Sequence, residues 1–212
     1  MERKMYKISS RYDKDIFLKI IPGHFATSHS HVTHHLDIVN MKSRLSEAER
    51  VAHALAQKYE SSTPVDTIVC LDGLEVVGAL LAQALTKAGI LSLNAHKTMY
   101  VISPEYRGDI MMFRDNIQPM IQGKNIILLI GTITTGNTLG SCMQCIRYYD
   151  GILQGVSAIF SEISKVGSIT VNSLFTGKDL PGYESHKPTE CPYCQQGQKI
   201  DAIVNNYGYS KM

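Results

Sequence analysis

The chain has 212 residues, 44% of them hydrophobic, which is enough to bury a full core within one compact domain. Its formal net charge of +2 comes from interspersed basic and acidic residues, so composition indicates neither a nucleic-acid stripe nor a basic membrane patch and favours a small-molecule partner. Apolar runs stay short of the roughly 18 residues of a membrane helix, and five cysteines do not make a disulfide scaffold, so we expect a cytoplasmic protein.

Apolar periodicity alternates between short continuous runs and helical spacing, which is typical of an α/β protein with a mainly parallel sheet. Ser46 and Glu49 form a capping-box pattern that predicts a helix over about 46–60. The later predicted elements are a strand at 65–71, a helix ending near Gly89, a strand at 98–103, a polar loop at 104–116 that could move, a strand at 125–130, a helix at 139–151 and a strand at 155–160. Ligands of such sheets bind beyond the carboxyl ends of the strands.

One turn at such a strand end carries a cluster of small polar residues. It consists of Thr134, Thr135, Gly136, Asn137 and Thr138. Unpaired backbone N–H groups and the helix dipole favour an anion at a strand-to-helix junction, and the hydroxyls add donors. Because the turn lacks the lysine of a nucleoside-triphosphate P-loop, a monophosphate is the better prediction. The alternative is that these residues only cap the helix.

Three segments resemble a known family. "IILLIGTITTGNTL" (126–139) is similar to the phosphoribosyl-pyrophosphate motif of the type I phosphoribosyltransferases. "PGHFATSHSHVTHHLDI" (22–38) resembles the amino-terminal substrate loop of the orotate phosphoribosyltransferases. "ECPYCQQGQKI" (190–200) resembles the Cys-Pro-x-Cys-x-x-Gly tail of some bacterial members of that branch. The resemblance therefore covers roughly residues 20 to 200.

The fold that this resemblance implies is a mainly parallel sheet flanked by helices, with a small hood. The chain would be a single phosphoribosyltransferase-like domain over 1–212. Its core would span 46–169, with 1–45 and 170–212 forming the hood, the substrate loop and the tail. Members of the family are commonly dimers, so the resemblance also implies a homodimer.

The activity that the resemblance implies is transfer of phosphoribosyl from phosphoribosyl pyrophosphate to a nitrogenous base, with Mg²⁺ on the pyrophosphate. The protein would mainly position its substrates and stabilise charge. The implied residues are Thr134 to Thr138 for the 5′-phosphate, Leu71, Asp72 and Gly73 for the pyrophosphate loop, Glu105 to Gly108 for a closing loop, Phe25 and Ser30 for the base pocket, and Arg107 with Asp72 for catalysis.

The sequence departs from the family pattern at functional positions. The family's two acidic residues, which hold the ribose hydroxyls, fall on Ile130 and Gly131, and neither side chain can accept a hydrogen bond. Ser161 and Glu162 replace the arginine that meets the orotate carboxylate, and a glutamate there would repel it. Two functions stay open: a divergent phosphoribosyltransferase acting on an unknown base, with orotate disfavoured, or a catalytically inactive module that senses phosphoribosyl pyrophosphate or a nucleotide and passes the signal to a partner.

Asp72 and Glu75 flank the turn that corresponds to the pyrophosphate loop. If the protein is an enzyme, these carboxylates would help to restore the Mg²⁺ binding lost at Ile130 and Gly131. The alternative is an acidic pair that stabilises a helix N-terminus through the helix dipole.

Two groups of residues raise the question of a transition metal, Zn²⁺ in particular. The first group is His24, His29, His31, His34 and His35. Clustered imidazoles can bind a metal or shuttle protons, and the alternative is a solvated substrate loop. Cys191 and Cys194 have zinc-knuckle spacing, and together with Cys142 and Cys145 they would make a four-thiolate site. A two-cysteine contribution to a zinc or redox site and a purely structural tail turn remain open.

Overall fold

The computed structural model describes residues 4–59, 63–89, 92–108 and 110–212. The helices of this part are α1 (Val39–Ser43), α2 (Leu45–Ala56), α3 (Glu75–Thr86), α4 (Asn137–Tyr148) and α5 (Pro192–Gln195), with short 3₁₀ turns at Gln118–Met120, Gly177–Asp179 and Pro188–Glu190. The strands are β1 (Tyr6–Ser9), β2 (Phe17–Ala26), β3 (His31–Asp37), β4 (Thr67–Cys70), β5 (Tyr100–Ile102), β6 (Glu105–Arg107), β7 (Ile110–Met112), β8 (Asn125–Ile133), β9 (Ile152–Ser161), β10 (Lys165–Val166), β11 (Ile169–Thr176), β12 (Ser185–His186), β13 (Ala202–Asn205) and β14 (Gly208–Lys211).

The core is a sheet in the order β10-β11-β9-β8-β4-β5, in which β10 alone runs antiparallel to its neighbour. Alternate residues of β8 enter opposite apolar layers. Ile127 and Leu129 pack with α2 and α3, whereas Ile126 and Leu128 pack with α4. Burial on both faces explains the continuous apolar runs of the sequence, because a parallel sheet is covered by helices on each side. The predicted α/β fold with a mainly parallel, helix-flanked sheet is confirmed.

A second sheet forms the hood and is built from both ends of the chain. Its order is β12-β3-β2-β13-β14, and β1 pairs with the other part of β2. β13 runs parallel to β2, with Ala202 opposite Phe25. The turn after β13 reaches the core, where the Thr132 hydroxyl donates a hydrogen bond of 2.9 Å to Asn206 Oδ1. β11 belongs to the core sheet, so the core continues past residue 169, where the resemblance put its end.

Most predicted elements are present, and three local details of the sequence interpretation are wrong. α2 begins at Leu45, and its N-cap is Arg44 without a side-chain cap bond, so the capping box at Ser46 does not form. Arg44 has an extended backbone directly after α1, so α2 begins at Leu45, before the cap predicted at Ser46. The predicted polar loop contains the antiparallel hairpin β6–β7, which turns at Gly108 with φ 58°. Positions 60 and 109 of these predictions lie outside the described residues.

α3 ends at Thr86, with Lys87 as its C-cap in place of the predicted Gly89. None of the helices in the described ranges is long and apolar enough to cross a membrane.

Gly78 allows α3 to pack closely on the core sheet. A Cβ at this position would meet the Cys70 sulfur and would lie 3.0 Å from a Val101 methyl. We therefore expect Gly78→Ala to lower the free energy of unfolding by about 1–3 kcal/mol, the usual cost of overpacking. Urea denaturation measures this change.

Gly89→Ala is the matched control, because a Cβ at Gly89 would meet nothing within 4 Å. Its effect should stay within about 0.5 kcal/mol, as for other surface substitutions. Equal losses of stability in the two variants would contradict the packing account.

Candidate functional site

A cavity of about 450 Å³ lies between the carboxyl ends of the core strands and the hood. Its wall combines residues 132–139, which are the end of β8, the turn after it and the start of α4, with the β2–β3 turn (27–30), His35 and the tail turn (205–207). The volume falls within the range of small-molecule sites. A ligand here would therefore contact both sheets, at the end of the core sheet where α/β proteins bind their ligands.

The turn predicted to hold a phosphate lines this cavity along its whole length, from Thr134 to Thr138. Gly136 has φ 80° and is the N-cap of α4, a conformation that favours glycine. The first backbone N–H groups of α4 have no partner within the helix and border the cavity, where the helix dipole favours negative charge. The turn thus has the geometry of an anion site, and its phosphate binding stays a prediction.

The carboxylate of Asp72 lies beside the position where the family motif has its acids. Asp72 Oδ2 accepts a hydrogen bond of 2.8 Å from the Gly131 N–H. The Asn206 side chain and the Thr132 N–H also interact with this carboxylate. A Cβ on Gly131 would lie only 3.1 Å from Asp72 Oδ2. The missing side chain at 131 therefore leaves the space into which a carboxylate from the preceding βα turn enters.

The backbone and the charge of Asp72 are both constrained. Its φ of 60° is left-handed, which is uncommon for a residue other than glycine. Burial raises the pKa of the Asp72 carboxyl, although the N–H donors and the charge of Lys42 act in the opposite direction. Such a combination of burial and directed donors is common at functional sites.

Lys42 does not line the cavity but contacts Asp72 from behind the cavity wall, and the sequence did not reveal this role. It is 5% exposed, and its Nζ donates a hydrogen bond of 2.6 Å to the Asp72 carbonyl oxygen. Its Nζ also lies 4.3 Å from the centre of the Tyr207 ring, a cation–π contact. Burial lowers the pKa of Lys42, while Asp72 and Glu75 raise it. A buried cation therefore contacts Asp72 in the turn predicted to bind pyrophosphate. Leu71 and Gly73, the other residues of that prediction, are not among the residues that line the cavity, and the role of the turn stays a prediction.

The other predicted site residues are dispersed. Ser30 lines the cavity, whereas Phe25 packs in the apolar centre of the hood. Arg107 is exposed on β6 and is not among the residues that line the cavity. Glu75 accepts a hydrogen bond of 2.6 Å from the Ser103 hydroxyl and also lies outside the cavity wall. The roles predicted for Phe25 and Arg107 stay predictions.

His35 lines the cavity, and the sequence indicated it only as one of five clustered histidines. Its side chain is buried, and its Nε2 has no hydrogen-bond partner in the part of the chain that the structure describes. Burial lowers the pKa of His35, while the nearby Asp37 raises it. A buried imidazole without a partner can donate to a ligand or accept from one.

The two cysteine pairs do not form a four-thiolate site. Cys142 and Cys145 lie on α4 within the apolar layer beneath the core sheet. Cys191 and Cys194 instead lie at the ends of the first turn of α5, where they contact histidines of the hood. The hypothesis of a zinc site made by all four cysteines is therefore wrong, because Cys142 and Cys145 are not the residues that Cys191 and Cys194 contact.

Solved structures share this architecture. The chain is similar to the adenine phosphoribosyltransferase of Trypanosoma brucei with AMP, pyrophosphate and ribose-5-phosphate, at TM-score 0.56 and 12% identity over 76% of this chain and 78% of that one. It is also similar to the adenine phosphoribosyltransferase of Thermoanaerobacter pseudethanolicus, at TM-score 0.52 and 14% identity over 81% and 95%. The Mycobacterium tuberculosis orotate phosphoribosyltransferase with phosphoribosyl pyrophosphate is a third similar structure. Its TM-score is 0.52 and its sequence identity is 10%, over 68% of this chain and 82% of that one.

At these identities the likeness concerns the fold. The chain has the type I phosphoribosyltransferase fold, as its motifs predicted, and this fold is shared by proteins named for different bases. No family model matches the sequence, and neither does any curated protein.

The raised pKa of Asp72 predicts a pH-dependent effect of replacing it. A carboxyl whose folded-state pKa lies above its ordinary value contributes stability below that ordinary value and loses it as pH rises through the folded-state pKa. The stability of Asp72→Asn relative to the unsubstituted protein should therefore increase as the pH rises from about 4, the ordinary pKa of an aspartate, towards neutral. Urea denaturation across this range measures the difference.

Asp115→Asn supplies the baseline for removing an exposed carboxylate. A difference for Asp72→Asn that stays constant or falls with rising pH would show that burial does not dominate the ionisation of Asp72.

Proposed function

We propose that the protein binds phosphoribosyl pyrophosphate in this cavity and transfers its phosphoribosyl group to a nitrogenous base other than orotate. The observation that carries the proposal is the Asp72 carboxylate beside Gly131, within the same cavity wall as the turn at 134–138. An anion site and a carboxylate at this sheet edge are the two groups that a phosphorylated ribose requires.

In the proposed complex, the 5′-phosphate binds the turn at 134–138. Backbone N–H groups at the start of α4 and the hydroxyls of Thr134, Thr135 and Thr138 donate to it. Asp72 then accepts hydrogen bonds from the ribose hydroxyls, because Ile130 and Gly131 cannot do so.

The donor set fits Mg²⁺, which favours oxygen ligands and is commonly held by one or two carboxylates together with substrate phosphates. Among the described residues, Asp72 is the one carboxylate that lines the cavity. Gly131 engages one of its oxygens, and a carboxylate has further lone pairs for a ligand. An ion bound by Asp72 and the pyrophosphate would neutralise charge on the leaving group.

Lys42 provides a protein cation on the pyrophosphate side. Its Nζ contacts the Asp72 carbonyl oxygen within the pyrophosphate turn. As the base nitrogen forms its bond to the anomeric carbon, the bond to the pyrophosphate oxygen breaks and negative charge accumulates there. The charge of Lys42, acting through the turn that it contacts, would stabilise this developing charge more than the charge of the bound substrate. Arg107 on the β6–β7 hairpin would add a second cation if that hairpin closes.

The base side of the cavity is lined by imidazoles and a phenol. His35 offers its unpartnered Nε2, and Tyr183 lies in the same wall. Burial raises the pKa of Tyr183, and the charge of Glu162 adds to this rise. A negative charge so close to the wall disfavours an anionic base such as orotate. A neutral base with a hydrogen-bonding edge suits these groups better.

The second candidate function is a sensor without turnover. The observation that favours it is the pair Ile130 and Gly131, since a lost ribose grip is what an inactive relative would have. Recognition would then rest on the 5′-phosphate, and a nucleoside monophosphate would bind about as well as phosphoribosyl pyrophosphate.

Titration calorimetry with and without Mg²⁺ separates the two functions. For the transferase, we expect Mg²⁺ to strengthen binding of phosphoribosyl pyrophosphate by at least about tenfold, or about 1.4 kcal/mol. Asp72→Asn should remove this gain, whereas Asp115→Asn should keep it. Pyrophosphate release should follow for one or more neutral bases and should be absent or very slow with orotate.

A Mg²⁺ effect that is absent from the unsubstituted protein, together with equal binding of a nucleoside monophosphate, would favour the sensor. Ordinary turnover with orotate would show that the interpretation of Ser161 and Glu162 is wrong.

The phosphate turn is tested by Thr138→Val, which removes a hydroxyl at the start of α4 and nearly conserves volume. A hydrogen bond to a charged group contributes about 1.5–3 kcal/mol, so affinity for ribose-5-phosphate should fall by about tenfold or more. Thr170→Val, at an exposed position on β11, is the matched control. Unchanged affinity in Thr138→Val, measured by calorimetry, would place the phosphate elsewhere.

A further inference from the structure

A second cluster of chemically active side chains lies in the hood, away from the cavity. It comprises His24 on β2, His31 at the start of β3, Cys191 at the N-cap of α5 and Cys194 within α5. One nitrogen or sulfur atom from each lies within 4.8 Å of the others. None of the four lines the cavity, so the proposed transferase chemistry does not explain them.

The distances between these atoms resemble those of a tetrahedral metal site. Cys191 Sγ lies 3.4 Å and Cys194 Sγ 3.7 Å from His24 Nε2, and Cys194 Sγ lies 3.3 Å from His31 Nδ1. Zn–S and Zn–N bonds of about 2.3 and 2.0 Å at the tetrahedral angle separate sulfur from nitrogen by about 3.5 Å. A zinc ion at the centre would therefore reach these three pairs of ligands with little movement.

A neighbouring contact orients the buried histidine toward the cysteines. His24 Nδ1 lies 3.2 Å from the carbonyl oxygens of Gln198 and Lys199, so the Nδ1–H donates to the backbone. Its Nε2 then carries the lone pair and faces the two sulfur atoms. Histidines that bind metals usually have such an outer partner, which fixes both the ring and its tautomer.

The turn between the cysteines is well suited to bind a metal with both thiolates. The Gln195 N–H donates to the Cys191 carbonyl oxygen, and the Gly197 N–H donates to that of Cys194. Gly197 has φ 74°, a left-handed conformation that glycine adopts without strain. The chain thereby doubles back after Cys194 toward His24 and keeps both sulfur atoms on one side.

We propose that His24, His31, Cys191 and Cys194 bind one Zn²⁺ in a closed, structural Cys₂His₂ site. Four protein ligands fill the tetrahedral coordination and leave no open position for catalysis. The ion would link the β2–β3 hairpin to α5 in the tail. β13 and the turn at 205–207 follow α5 in the chain. Because that turn carries Asn206 and Tyr207 into the cavity, the site would stabilise one wall of the pocket from outside.

The test is the metal content of the purified full chain, expressed with Zn²⁺ and measured by elemental analysis. We expect about one zinc ion per chain in the unsubstituted protein. Cys194→Ser and His31→Gln should each lower this content at least about fivefold, because a tetrahedral site loses a ligand. Cys194 is exposed, so its replacement leaves the core packed even if the ion is lost.

Two control variants lie outside the cluster. Cys145→Ser on α4 and His53→Gln on α2 should keep the full zinc content. A strong chelator should lower the melting temperature of the unsubstituted protein and of both controls, but not that of Cys194→Ser. Cobalt substitution should give the absorption of a tetrahedral ion with thiolate ligands.

Three results would overturn the proposal: a zinc content near zero in the unsubstituted protein, equal zinc in Cys194→Ser and Cys145→Ser, or a Cys191–Cys194 disulfide in freshly purified protein. The last would identify the pair as a redox site. Each result is independent of phosphoribosyl pyrophosphate binding, so failure of the zinc site leaves the proposed transferase function intact.

Discussion

The hydrogen bond from the Gly131 N–H to the Asp72 carboxylate links the ends of two neighbouring core strands, and the candidate site depends on it. Gly131 provides the space and a donor. Asp72 reaches that donor because its backbone is left-handed. Its carbonyl oxygen then faces the buried Lys42, and its carboxylate interacts with Asn206 of the tail. A carboxylate is thereby kept in a site whose own motif has lost its acids.

The hood has a direct part in this arrangement. Its tail turn closes the cavity wall, where Tyr207 contacts Lys42 and Asn206 contacts both Thr132 and Asp72. The tail is paired with β2 through β13 and returns toward β2 again at the histidine–cysteine cluster. A zinc ion there would fix the tail before the 198–201 segment, and the pairing of β13 with β2 fixes it after that segment. Metal binding and ligand binding would then be linked through the position of one turn.

The core of the fold could be predicted from the sequence, because buried strands such as 125–130 and their following helices leave strong local patterns. The turn at 134–138, where we predict phosphate binding, was recognisable for the same reason. Lys42 and Asn206 were not, because their roles come from contacts between distant segments and their neighbouring residues form no motif. His35 was recognisable only as one of five clustered histidines, and its place in the cavity wall comes from tertiary structure. The four residues of the proposed zinc site illustrate both cases, since the spacing of the cysteines indicated a metal while only tertiary structure brings His24 and His31 to them.

The central claim is that Asp72 replaces the acids lost at Ile130 and Gly131. The most direct measurement is a crystal structure of the complex with phosphoribosyl pyrophosphate and Mg²⁺. Our account predicts the 5′-phosphate on the turn at 134–138 and the Asp72 carboxylate in contact with the ribose hydroxyls or the ion, at about 2.1 Å if it binds Mg²⁺ directly. A phosphoribosyl group bound in the cavity without any contact to Asp72 would contradict it.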